Sequence, residues 1–319
     1  MHKLNFWSSS SDNGQASGQD DEGSLKIPLE TLGLHTLYEP KDKNITMDIV
    51  AVHGLGGDSF STWTDKASGC LWLRDLLPQQ EALKGARIMT FGYDARAFLR
   101  PFEKSTTGRT FTFAEALLFD LSNARIDQEQ ARSRPLVFVG HSLGGNVIKS
   151  ALVGANNQQN LYGDILKSTQ CLIFFGTPHQ GADAAVWGTY LGNLAQGIGI
   201  RSTEVTQELM RWSNPLVELR VNFAQLAPRY LIRTFFETRK KYNVLVVPEM
   251  SARFGTDNDQ AVGLDADHLD ICKFGNGKTP NASRVLQTFA AVSKLMEARI
   301  ESAGASSLEE RLEALRRSA

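Results

Sequence analysis

The run Val139-Gly140-His141-Ser142-Leu143-Gly144-Gly145 constrains the fold more than any other stretch, because it reads G-x-S-x-G directly after the apolar residues Pro135 to Val139. A serine set between a buried parallel strand and the helix that follows must take a strained backbone conformation. Glycines two residues to either side remove the side chains that would collide there. The pattern predicts a nucleophile elbow with an exposed hydroxyl. Asn146 to Val153 continues it as a helix, with Val147, Ile148, Ala151 and Leu152 at helical spacing. Strand, turn and helix together separate this motif from a chance pentapeptide in a loop.

The flanking sequence alternates in the same way. Leu34 to Tyr38 reads as an edge strand, Pro40 to Asn44 as a turn and Met47 to Val52 as a buried strand. A helix-like stretch from Leu71 to Leu77, a strand at Arg87 to Phe91 and a helix from Phe113 towards Arg125 follow. Beyond the elbow come strands at Gln170 to Phe175, Leu231 to Phe236 and Val244 to Val247, then a closing amphipathic helix from Arg284 to Ile300. Short apolar runs separated by helical patterns predict an α/β fold, a mostly parallel sheet with helices on both faces. With 319 residues and 42% hydrophobic content, one catalytic domain over 24–300 is the simplest organisation. Residues 1–23 are too polar to offset the entropy of ordering and read as a disordered leader, apart from Leu4-Asn5-Phe6-Trp7. Residues 183–227 carry Trp187, Tyr190, Leu191, Leu194 and Trp212 and read as a helical lid insertion, with ordinary core packing equally open. Residues 301–319 read as a helical tail, with Leu308, Leu312 and Leu315 at helical spacing.

A serine hydroxyl is a poor nucleophile at neutral pH, so it needs a histidine to take its proton and a carboxylate to hold that histidine's tautomer. Where such a triad follows an elbow of this type, the chain order is Ser, acid, His. Of the six histidines, His2, His35 and His53 precede Ser142 and His141 adjoins it, pointing elsewhere. His268, in Asp267-His268-Leu269-Asp270 before the final helix, is the expected base, and His179 is expected to shape the floor of the site. Glu237 is the expected acid because it leaves the strand Leu231 to Phe236 at its carboxyl end, where catalytic groups collect in open α/β sheets. Glu249 and Asp257 also precede His268 and stay open as alternatives. His53-Gly54-Leu55-Gly56-Gly57 follows a strand and suits an oxyanion turn, with the amides of Leu55 and Leu143 as the donor pair. The Lys-Ser/Thr ending of a phosphate loop is missing.

Several motifs in one order carry a family resemblance. They are His53-Gly54-Leu55-Gly56-Gly57-Asp58 with Thr62-Trp63, Phe91-Gly92-Tyr93, the elbow, Phe174-Phe175-Gly176-Thr177-Pro178-His179-Gln180-Gly181-Ala182 and Asp267-His268-Leu269-Asp270-Ile271-Cys272-Lys273-Phe274. Over about His35 to Ile300 the chain resembles the lipase-like serine hydrolases related to GPI-inositol deacylases and to the mitochondrial serine-active-site protein. It looks nearest to the SesB-type domain of fungal NOD-like receptors. The resemblance implies an α/β-hydrolase fold, Ser142 as nucleophile, His268 as base, an acid in Phe235-Phe236-Glu237-Thr238 or Val246-Val247-Pro248-Glu249, and substrate contacts at Trp63 and His179. It implies a serine esterase or lipase acting on an apolar acyl ester, or alternatively an effector domain in cell-death signalling with partners met through the leader or tail.

Composition bounds the partners. Lys+Arg 34 against Asp+Glu 35 leaves a net charge of -1, so no global field draws the chain to nucleic acid, although transient membrane contact stays open. The three scattered cysteines fit neither a disulfide framework nor a zinc site, and no cofactor or metal is expected. No window is apolar enough for a membrane span and the amino terminus lacks a signal-peptide layout, which predicts a cytoplasmic location with mitochondrial or membrane-associated placement as alternatives.

Overall fold

Six of the seven strands run parallel because a returning segment lies between successive strands and brings the chain back to the same end of the sheet. The structure, a computed structural model, describes residues 29–42, 44–95, 106–126, 129–179, 217–241 and 243–318. The expected leader 1–23 lies outside these residues, as do residues 183–216 of the expected insertion; 217–224 are helical. The strands are β1 (Gly33–Tyr38), β2 (Met47–Val52), β3 (Ala86–Gly92), β4 (Leu136–His141), β5 (Thr169–Phe175), β6 (Leu231–Glu237) and β7 (Asp259–Leu264). Their order in the sheet is β1-β3-β2-β4-β5-β6-β7, with β1 antiparallel at one edge.

The central strands are buried along their whole length, as a sheet covered on both faces requires. Alternate side chains feed two cores. Val50, Val52, Phe138, Leu172 and Phe174 face a core completed by α2 (Thr106–Asn123), α4 (Leu143–Asn157) and α5 (Gln159–Ser168). Ile49, Ala51, Val137, Val139 and Ile173 face the other, closed by α1 (Trp72–Asp75) and by Val285, Phe289 and Met296 of the long carboxyl-terminal helix. Trp72 anchors this second core. Its indole N–H donates to the Cys272 carbonyl at 2.8 Å and its ring meets Phe175, Phe274 and Phe289 edge-on.

Three expectations are corrected. Val244 to Val247 form no strand, only an isolated bridge from Val244 to Lys241, because Val246 and Val247 turn inward to cover Glu237 and the first core. The last strand is β7, whose half-buried Asp-Gln-Ala-Val-Gly-Leu lacks an apolar run because it lies at the sheet edge. Arg284 to Ile300 and the tail are one element, a continuous helix from Pro280 to Ser318. The remaining short helices are α3 (Glu129–Ser133) and α6 (Glu249–Ala252), which makes the long one α7.

Candidate active site

Ser142 is the residue between β4 and α4, and its backbone carries the strain that the motif requires: φ is 51° at a non-glycine position. The amide of Ser142 donates to the Phe175 carbonyl at 2.9 Å, which pins the turn to the tip of β5. The flanking glycines are there for close approach. A Cβ on Gly140 would lie 2.7 Å from Gly145 Cα, and one on Gly144 would overlap the carbonyl oxygens of Val52 and His53. The expectation of an exposed hydroxyl is corrected, since Ser142 keeps only 1% of its accessible surface. The turn after β2 packs against it so closely that a Cβ on Gly54 would stand 2.7 Å from Ser142 Cβ.

Three strand tips converge on this serine. His268 follows β7, and its Nε2 lies 3.0 Å from Ser142 Oγ. Glu237 ends β6, and its Oε2 lies 2.9 Å from His268 Nδ1. The other carboxylate oxygen, Oε1, accepts the Val247 amide at 2.6 Å. With Glu237 able only to accept, the neutral imidazole carries its proton on Nδ1 and leaves Nε2 free to accept the serine hydroxyl proton. Both side chains are fully enclosed. Gly176, at φ 53°, lies under the pair; a Cβ there would come within 3.1 Å of His268 Nδ1 and 3.2 Å of Glu237 Oε2. The alternative acids are elsewhere: Glu249 is exposed and paired with Arg253, and Asp257 is exposed in the turn before β7.

Leu143 opens α4, so its amide is one of the first-turn donors that have no acceptor inside the helix. Leu55 lies in the turn after β2, whose Gly54 packs on Ser142, and is buried. His53 holds that turn. Its Nδ1 donates to the Gly54 carbonyl at 2.9 Å while Nε2 accepts the Tyr93 amide at 3.1 Å. The Tyr93 hydroxyl returns a bond to the His53 carbonyl at 2.9 Å, and the two rings stack. Burial pushes the His53 imidazole down to about 4, so it stays neutral.

The contact that His141 makes was not foreseen from the sequence. His141 points away from the serine hydroxyl, and its Nε2 donates to the His268 backbone carbonyl at 2.8 Å, holding the loop that delivers the base. Burial, reinforced by His268, pushes it down to about 3. Its place at the end of β4, on the side opposite the nucleophile, was the available signal. Trp63 is fully buried in the second core, its ring edge-on to Trp72. His179 is buried beside Phe174 and Phe254 and accepts from Lys149. Among the described residues no group of three His, Cys, Asp or Glu side chains is placed to hold a metal, and no helix is long and apolar enough to cross a membrane.

The seven-stranded sheet with a strained serine between β4 and α4 is an α/β-hydrolase fold. The chain is a distant homologue of SERAC1. It is 29% identical to the Danio rerio protein over 274 residues, which is 76% of this chain and 38% of that protein. It is 27% identical to the Homo sapiens protein over 268 residues, 75% of this chain and 38% of that one. The chain therefore spans 38% of the length of these curated relatives. No family model matches. Among solved structures, the mature lipase BlEst2 of Bacillus licheniformis superposes with a TM-score of 0.48 at 20% identity, covering 79% of this chain and 97% of the lipase. The thioesterase RedJ of Streptomyces coelicolor superposes with a TM-score of 0.43 at 16% identity, covering 80% and 93%.

Proposed function

We propose that the protein is a serine hydrolase that cleaves a carboxylic ester, with a lipid or other apolar acyl ester as substrate, through an acyl-enzyme. One observation carries this reading: the unbroken relay from Glu237 to His268 to Ser142, with contacts of 2.9 and 3.0 Å. In the first half-reaction Ser142 Oγ attacks the ester carbonyl carbon while His268 Nε2 takes the hydroxyl proton. The Nδ1–H bond to Glu237 stabilises the imidazolium that forms. The oxyanion is held by the amides of Leu143 and Leu55. As the tetrahedral centre collapses, the C–O bond to the alcohol breaks and His268 returns the proton to the departing oxygen. In the second half-reaction water attacks the acyl-serine, again with His268 as base, and the carboxylic acid leaves. No cofactor is required for any step.

A fluorophosphonate probe tests the reading. It should label the protein at Ser142, and Ser142→Ala should lose both the label and ester hydrolysis, with turnover reduced by several orders of magnitude. Labelling retained in the folded Ser142→Ala variant would refute it.

A further inference from the structure

Asn146 and Lys149, three residues apart, share one face of helix α4, which begins directly after Ser142. All three are buried. Lys149 is fully enclosed, and its Nζ donates to His179 Nδ1 at 3.3 Å. Helical side chains lean towards the amino terminus of their helix, so Lys149 reaches back in the direction of the serine. The segment after β5 faces this stretch of helix: a Cβ on Gly145 would overlap Thr177 Oγ1, and His179 meets Lys149. Between these two surfaces several buried polar atoms have no hydrogen-bond partner among the described residues. They are both ends of the Asn146 amide, Thr177 Oγ1 and His179 Nε2. Because His179 accepts at Nδ1, its ring proton sits on Nε2 as a further unused donor.

Buried polar groups are ordinarily satisfied, and a buried ammonium without a counter-ion is costly. Among the described residues no carboxylate acts on Lys149 or His179; the charged groups acting on them are Arg220 on Lys149 and Lys149 on His179, all of one sign. Burial pushes Lys149 down to about 7. Among the described residues this cluster is rich in donors and includes no anion.

We propose that Asn146, Lys149 and His179 form a polar recess beside the nucleophile that binds an anionic oxygen group of the substrate, a phosphate or a carboxylate. This deepens the serine-hydrolase reading and rests on it. The substrate class is then an ester whose apolar acyl part is joined to a negatively charged head.

Binding to the inactive Ser142→Ala protein separates the two ideas. Three soluble probes of matched chain length serve, each below its aggregation concentration: dihexanoyl phosphatidic acid, monohexyl succinate and dihexanoylglycerol. One of the two anionic probes should bind at least about tenfold more tightly than the neutral one, and which one identifies phosphate or carboxylate as the group. At pH 8 that binding should take up close to one proton, as the anion restores the charge on Lys149. Ser142→Ala/Lys149→Met should lose both the preference and the proton uptake. Equal affinity for all three probes in the Ser142→Ala protein would overturn the recess, whether or not the double variant folds. A preference that survives Lys149→Met would overturn it too. Fluorophosphonate labelling of Ser142 in the wild-type protein reports on the serine-hydrolase reading separately: a labelled serine with no anion preference refutes the recess alone.

Discussion

At the scale of single residues, the site depends on which groups carry protons. Glu237 has both oxygens committed, one to His268 and one to the Val247 amide, so it fixes the imidazole tautomer and cannot swing away. Glu237→Gln should lower turnover by about 10⁴ with near-normal folding, while Glu249→Gln, at an exposed position, keeps most of its activity; steady-state kinetics on a p-nitrophenyl ester check the contrast. His53 and His141 are held neutral by burial, at about 4 and about 3 against an ordinary value of 6.5. Between pH 6.5 and 4 the unfolded chain therefore binds protons that the native state refuses. Stability from these histidines is fully present above 6.5 and falls as the pH drops towards 4. The loss should reach about 3 kcal/mol for His53 alone. Urea unfolding across this range should lose midpoint as the solution is acidified, and His53→Gln should flatten that slope.

At the scale of elements, the elbow ties α4 to the tips of β2 and β5. Gly144 sits where any side chain would drive the helix off the β2 carbonyls. Gly144→Ala should destabilise the protein by about 3 kcal/mol or more and abolish probe labelling, measured by thermal melting alongside fluorophosphonate reactivity. The elements most legible in the sequence were those with a physical reason to be uniform. β2, β4 and β5 are buried on both faces and so read as nearly continuous apolar runs, interrupted in β2 by Asp48. β7 was not legible because an edge strand needs no such run. Val246 and Val247 read as a strand because apolar residues that plug a core beside a carboxylate look the same in one dimension as apolar residues in a sheet. Ser142, Glu237 and His268 were visible through motif and chain order. Asn146 and Lys149 were not, because a polar residue at helical spacing carries no mark of what it will face once the chain folds.

At the scale of the whole molecule, polar clusters hold the two ends of the parallel strands, the Ser142-His268-Glu237 relay at the carboxyl ends and an ion cluster at the foot of β2. At the foot of β2, far along the strand from the turn after it, the fully buried Asp48 carboxylate accepts from Arg87 and Arg125 at 2.7 Å each and from Arg134 at 3.2 Å. Arg125 also donates to the carbonyls of Arg132 and Arg134, so the cluster fastens α2 and the segment before β4 to the sheet. Removing the carboxylate's charge leaves three guanidiniums facing each other. Asp48→Asn should cost about 3–5 kcal/mol in denaturant unfolding while leaving the kinetic constants of the folded fraction unchanged.

Trp72 and Cys272 are joined across 200 positions of the chain, Ser293 and Ala82 across 211, and Ser142 meets His268 across 126. Contacts of such long separation close large loops, and loop closure is what slows folding. The helices are local and can form early, whereas Ser142 and His268 can meet only once the segment after β7 is in place. A relay closed across 126 positions should therefore be among the later contacts to form. If Ser142 is the nucleophile proposed above, its labelling by a fluorophosphonate during refolding should lag the return of helical signal, because the serine gains its partner only when the last-docked segment seats His268.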